Sequence, residues 1–185
     1  MNDVNPLHLI RRCEAGETGA IEEFVHTYQL VSYRLALSIL DDPAEAEEAA
    51  QDALVAALDR LASFRGEAAF TTWLYSLTLN LCRMRLRKHR SRQRLTGILQ
   101  EIFLLNNQKY YPEAEFQKIE NDAALWSAIH QLSDLHREAI VLRYYHELPI
   151  ANISQVTGVS ERTVHNRLRS AHERLRILLE EKDKS

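Results

Sequence analysis

The 185-residue chain is poor in the residues that break or cross-link a fold, with 5 glycines, 4 prolines and 2 cysteines. So few turn formers exclude a chain of many tight hairpins, and equally a collagen-like repeat. Cys13 and Cys82 lie far apart with no CxxC spacing, which excludes a disulfide scaffold or a simple zinc finger. Both read as small packing residues in a reducing compartment. No apolar run approaches the ~20 residues that cross a bilayer, so no direct membrane insertion is expected. Met1 to Pro6 carries an acid and no apolar segment, which does not fit a secretory signal; a cytoplasmic location is expected. Also missing are a glycine-rich phosphate loop, a G-x-S-x-G elbow and an HExxH helix. His165 and His172, and His130 and His136, have no third ligand near them in sequence. The reading is therefore a binding protein, with no enzyme activity, cofactor or metal.

What is present is ordinary in amount and unusual in arrangement. Hydrophobic residues are 45% and charged residues 26%, and 23 bases against 26 acids leave a net charge of −3. Asp41, Asp42, Glu45, Glu47, Glu48, Asp52 and Asp59 form a block with no Lys or Arg among them. Arg83, Arg85, Arg87, Lys88, Arg90, Arg92 and Arg94 form a second block with no acid. A near-neutral chain with two such blocks suggests two different partners, one of them a polyanion. Two solvated helix faces would give the same pattern, so it needs independent support.

Helical periodicity runs through most of the chain, and the predicted fold is all-α. Leu7 to Leu40 reads as two helices broken near Gly16 to Gly19, the second with Ile21, Phe24, Val25, Tyr28 and Val31 at threes and fours. Asp42, Pro43 and Glu45 supply an N-cap, a first-turn proline and a capping-box spacing. The helix they start carries Ala46, Ala49, Ala50, Ala53, Leu54, Ala57, Leu58 and Leu61 on its inner face. After a short loop at Ser63 to Glu67, a long helix from Ala69 to about Arg94 buries Phe70, Trp73, Leu74, Leu77 and Leu81. Its opposite side presents Thr72, Tyr75, Ser76, Asn80, Arg83 and Arg87. Aromatic and hydroxyl groups leading into arginines suit single-stranded nucleic acid, with bases on rings and phosphates along cations.

Residues 95–112 read as a connection, with Leu95, Ile98, Leu99, Ile102 and Phe103 making it amphipathic. It can be a short helix docked on its own chain or a helix that binds a partner. Beyond it Phe116, Ile119, Ala123, Trp126 and Ile129 form one stripe, and Leu135, Ala139 and Leu142 belong to the next helix. Pro149 to Thr157 then reads as a short helix ended by Gly158. Ser160 caps another, with Val164, Leu168, Ala171, Leu175 and Leu178 inward. Two helices joined by a tight glycine turn make a helix-turn-helix, whose second helix exposes Arg162, His165, Asn166 and Arg169. Such groups can donate to phosphates and to base edges in a major groove.

These residues carry a family resemblance. Ala46-Glu47-Glu48-Ala49-Ala50-Gln51-Asp52, Leu61-Ala62-Ser63-Phe64-Arg65-Gly66, Phe70-Thr71-Thr72-Trp73-Leu74-Tyr75 and Asn80 resemble region 2 of the extracytoplasmic function (ECF) sigma factors. Leu135-His136-Arg137-Glu138-Ala139-Ile140-Val141-Leu142-Arg143-Tyr144, Ile153, Gly158-Val159-Ser160, Thr163-Val164 and Arg167-Leu168 resemble their region 4. The resemblance implies two small helical domains, region 2 at 1–94 and region 4 at 113–185, joined by a linker at 95–112. It implies core RNA polymerase as a partner, docked through Asp42, Glu45, Glu48, Gln51 and Asp52. It implies capture of the melted non-template strand of the proximal promoter element, one base flipped out, by Phe64, Arg65, Thr72, Tyr75, Ser76, Asn80, Arg83 and Arg87. Ser160, Arg162, Thr163, His165, Asn166 and Arg169 would contact duplex promoter DNA at the distal element. An anti-sigma factor is a further expected partner.

The reach is sufficient. The family's promoter elements lie roughly 25 base pairs, or about 85 Å, apart. Residues 95–112 span at most ~60 Å when extended, and the two domains add the remainder. Four positions depart from the family pattern. Leu54 and Leu58 stand where Phe and Trp are frequent, Glu147 where glycine is common, and His165 where lysine is common. A neutral imidazole makes fewer charge-assisted bonds than an ammonium, so distal-element binding is expected to be weaker or pH-sensitive. Two other classes compete. A dimeric helix-turn-helix regulator leaves Phe64, Asn80 and the acidic helix without a role, and a protein-only helical adaptor leaves the arginine block without one.

Overall fold

The computed structural model describes residues 6–66, 68–100 and 123–182, with side chains for 6–66, 68–91 and 125–180. Among them all regular structure is helical. In chain order the helices are α1 (Pro6–Glu14), α2 (Ala20–Leu40), α3 (Pro43–Asp59), α4 (Phe70–Gln100), α5 (Ala123–His130), α6 (Asp134–Ile140), α7 (Ile150–Thr157) and α8 (Glu161–Lys182). A 3₁₀ turn at Leu61–Ser63 precedes the loop before α4, and a π-helical turn at Val141–Tyr145 continues α6.

Local chemistry sets most of the boundaries. Asp42 adopts an extended backbone and accepts from the Glu45 N–H at 3.0 Å, and Pro43 opens α3. The reciprocal half of the expected capping box is not what Glu45 makes: its carboxylate turns to Arg85 and His89 instead. Gly158 ends α7 at φ 73°, a left-handed conformation that costs glycine nothing. Ser160 Oγ then accepts from the Thr163 N–H at 3.3 Å to open α8. Glu147, one of the departures noted above, also sits at φ 54°. A glycine at that position would relieve the backbone.

The first module packs α1 to α4 around two sets of contacts. Ala46, Ala49, Ala50, Ala53 and Ala57 give α3 a flat inner face that lies close on α2 and α4. At its outer end Leu9, Phe24, Tyr28, Leu54, Leu61, Phe70 and Leu74 are buried, with Phe24, Tyr28 and Phe70 in mutual ring contact at 4.8–5.7 Å. The second module folds α5 to α8 around Ile140, Leu142, Ile153, Val156, Val164, Leu168, Ala171, Leu175 and Leu178. Leu135 belongs to the short α6, as expected, and is 48% exposed. The long helix differs from its reading, continuing through Gln100 rather than stopping near Arg94. Residues 101–122, which carry the rest of the amphipathic segment and the positions of Phe116 and Ile119, lie outside the described residues.

The two modules are in direct contact. One continuous cluster of buried side chains runs from Leu35, Ile39, Leu79 and Cys82 in the first to Ala139, Leu142 and Ile153 in the second. Arg137 on α6 donates to the Ile39 carbonyl at 2.8 Å and the His130 carbonyl at 2.6 Å, and Arg90 pairs with Asp134 at 2.5 Å. The interface is why burial on α4 is rotated from its expected face. Thr78, Leu79 and Cys82 are fully buried, whereas Trp73, Leu77 and Leu81 are half-buried.

Candidate nucleic-acid interface

Two polar surfaces were expected to take nucleic acid, and the structure treats them differently. On α8, Arg162, His165, Asn166 and Arg169 are exposed along one face while Val164 and Leu168 hold the other side in the core. Arg169 is steadied by Glu173 one turn on, at 3.2 Å. Ser160 and Thr163 are joined by a 2.9 Å hydroxyl contact at the helix start, beside free N–H groups and the positive end of the helix dipole. This surface can donate to phosphates and base edges as it stands.

The α4 surface is assembled but covered. Phe64 leaves the 3₁₀ turn to lie edge-on against Phe70 at 5.2 Å and tilted on Trp73 at 5.5 Å. That contact holds the preceding loop beside α4. Between them is an open cleft of about 270 Å³, lined by Phe64, Arg65, Thr72, Trp73 and Ser76 from the first module and by Gln155 from α7. It is close to the lower end of small-ligand clefts, about 300 Å³, and has an aromatic wall and hydroxyls. Such a site can accept one extruded base. Along α4 from the cleft, Thr72 is only 3% exposed and accepts from the Asn152 amide at 3.3 Å. Tyr75 is hydrogen-bonded to His146 Nδ1 at 3.2 Å, with burial raising its phenol above the ordinary range. Arg83 forms a two-pronged ion pair with Glu138, Nε to Oε1 at 2.8 Å and Nη2 to Oε2 at 2.6 Å, which raises its guanidinium further. Asn80 and Arg87 are exposed, and Arg83 also reaches the Asn80 carbonyl oxygen at 3.4 Å.

The two charge blocks meet each other. Arg85 was expected in a polyanion-binding cluster, but it points the other way from Arg83 and binds Glu45 at 2.9 Å, Glu48 at 3.0 Å and Asp52 at 2.6 Å. Partial burial works against the charge on Glu45, yet hydrogen bonds from Arg85 and His89 prevail and lower its carboxyl pKa. Asp42 is committed to its cap, and Gln51 remains exposed with a 3.4 Å contact to Glu47. Three of the expected polymerase-docking groups therefore share one internal cation. Among the described residues no helix is long and apolar enough to cross a membrane.

The comparisons with known proteins agree with this architecture. The model of Sigma-70 region 2 matches residues 24–92, and that of Sigma-70 region 4 matches residues 122–175. The ECF RNA polymerase sigma factor SigM of Mycobacterium tuberculosis is 30% identical over 166 residues, 89% of this chain and 80% of that protein. This chain belongs to the ECF family of RNA polymerase sigma factors. SigW of Bacillus subtilis, another ECF sigma factor, is 29% identical over 173 residues, 90% of this chain and 92% of its own length. In fold, the sigma factor matches CnrH, solved with the cytosolic domain of CnrY, at a TM-score of 0.66 and 22% identity over 93% of this chain and 95% of that one. It also matches RpoE of Bartonella quintana, solved with the anti-sigma factor NepR, at 0.63 and 21% over 88% and 98%.

Sequence reasoning placed the loop, the cleft residues and the α8 face, and missed what lies over α4. Glu138, Asn152, Gln155 and His146 had no assigned role. Two signals were available. Leu79 lies one helical turn from both Ser76 and Arg83 on the face read as polar, so an apolar residue already interrupted it. Glu138 directly precedes the apolar run Ala139-Ile140-Val141-Leu142, and a carboxylate drawn into the core with that run needs a cationic partner.

Proposed function

We propose that this sigma factor divides promoter recognition between its modules: the cleft and α4 hold the melted non-template strand of the proximal element, and α8 reads the duplex distal element. Phe64 and Trp73 supply the aromatic wall against which a flipped base stacks. Arg65, Thr72, Ser76 and Asn80 surround it with polar groups, and Arg83 and Arg87 follow the phosphates. On α8, Arg162 and Arg169 take phosphates, and His165 and Asn166 face base edges. The acidic helix α3 docks on core RNA polymerase in the cytoplasm, and polymerase supplies the chemistry while this chain supplies specificity. Its structural neighbour RpoE was solved in complex with the anti-sigma factor NepR, which supports control of this chain by an anti-sigma factor.

The observation that carries the reading is that one chain joins a base-sized aromatic cleft to an independent, capped and exposed basic helix. A single experiment tests it. Mixed with core RNA polymerase, the chain is expected to give promoter-dependent transcription, and a dimeric regulator or an adaptor would give none. Asn80→Ala is expected to lower open-complex formation more than duplex binding, and Arg169→Ala to act mainly through the distal element. Equal effects of both substitutions on both steps would refute the division. Distal-element binding that does not change between about pH 6 and 8 would show that His165 confers no pH sensitivity.

A further inference from the structure

The outer stripe of α8 does not stop at Arg169. His165, Arg169, His172 and Arg176 recur at four, three and four residues, which keeps them within about 60° of one another around the helix. All four are exposed. Arg169 and Arg176 each have a carboxylate one turn further on, Glu173 at 3.2 Å and Glu180 at 3.8 Å. His172 differs: its surface neighbours one turn away on α8 are those two arginines. A second element reaches the same spot. Tyr144, from the π-helical turn, is 58% exposed and meets the His172 ring edge-on, with centroids 5.3 Å apart. A tyrosine this exposed adds little to the core, so packing does not account for its place.

Length decides what this end of the stripe meets. α8 has 22 residues, about 33 Å at 1.5 Å per residue, whereas the major groove is about 12 Å wide. Such a rod cannot lie wholly within the groove. With Arg162 to Asn166 at base edges, His172 lies about 10 Å beyond His165, where the helix passes the phosphates that border the groove.

We propose that Tyr144 and His172 form a backbone clamp for duplex DNA, in which the His172 imidazole donates an N–H to a phosphate oxygen between Arg169 and Arg176 while the Tyr144 ring fixes its position. An imidazole donates whether neutral or protonated, so the contact does not depend on its charge. The clamp adds affinity and register without choosing a base. This inference rests on the reading that α8 takes duplex DNA, and it adds that the footprint extends past the helix-turn-helix onto the turn that precedes it.

The test uses the full chain and a fluorescein-labelled DNA duplex of random sequence, which reads phosphate contacts alone. Affinity is measured by anisotropy over a range of sodium chloride concentrations. His172→Ala is expected to weaken binding about fivefold, the scale of one hydrogen bond. His172→Arg is expected to tighten binding and to steepen the slope of log affinity against log salt by about 0.9, one further neutralised phosphate. That gain cannot come from a folding defect. Tyr144→Ala is expected to weaken binding about threefold and Tyr144→Phe to leave it unchanged, because the ring rather than the hydroxyl positions His172. Arg174, half a turn around α8 from His165, is the control, and Arg174→Ala should cost less than His172→Ala although it removes a full charge. A loss as large from Arg174→Ala would reduce the effect to general charge and overturn the clamp. If both His172 variants match the parent in affinity and slope while Arg169→Ala weakens binding, the clamp is wrong and the α8 reading stands. If Arg162→Ala and Arg169→Ala are also without effect, α8 is not the duplex-binding face and both readings fall.

Discussion

The α8 face and the α4 face are made from similar residues, yet one is open and the other closed. On α8 a serine cap, a glycine turn and an apolar stripe act within about twenty consecutive residues, so the outward direction of Arg162, His165, Asn166 and Arg169 follows from local chemistry. On α4 the outward direction depends on what else packs there. Thr72, Tyr75 and Arg83 lie under groups more than fifty positions away in the chain. Local signals define a face, and only remote contacts decide whether it meets solvent.

The largest effect should come from acid. Burial and the nearby Arg34 push His146 down to about 4, and its Nε2 is buried without a partner. Arg34 from α2, Tyr75 from α4 and Tyr145 from its own turn are the titratable groups that face it, so a proton there would meet a cation and no carboxylate. An undocked or unfolded chain protonates near 6.5, before the docked one does. Stability is therefore full above about pH 6.5 and falls as pH drops towards 4, by at most about 3 kcal/mol. Urea unfolding across that range should show the loss, and His146→Gln should flatten it. A profile unchanged by that substitution would separate the α4 cover from His146.

Next in size, Glu138→Ala removes the carboxylate and leaves Arg83 half-buried without it, at an expected cost of about 2 kcal/mol after allowing for partial exposure. Arg169→Ala, on the open face, should change thermal stability by less than about 0.5 kcal/mol. Similar values for the two would remove the contrast. Arg85→Ala should cost about 1 kcal/mol, because two of its three carboxylates are largely solvated, and should change affinity for core polymerase by freeing Glu45, Glu48 and Asp52. A titration against core enzyme would measure this. The one expected gain is modest: Glu147→Gly should raise stability by about 0.5–1 kcal/mol by relieving the positive φ, read as a higher Tm.

Much of the candidate site could be read from the chain. Phe64, Arg65, Thr72 and Ser76 do line one cleft, because a short loop must return to the start of the helix it precedes. The acidic and basic blocks were legible as charge but not as partners of each other. Arg85 and Arg83 are two residues apart, which sets them about 200° apart on a helix, so one block faces α3 and α6 at once. No count of charges shows that division.

By itself the sequence determined the helices, their caps, the helix-turn-helix and the residue types of both polar surfaces, since these depend on neighbours a few positions away. Tertiary structure alone decided that Glu138 meets Arg83, that His146 is buried against Tyr75 and that Arg85 gathers three carboxylates. The physical reason is range: a cap or an apolar stripe is closed within one or two turns, whereas pairing across the chain depends on how whole helices settle against each other.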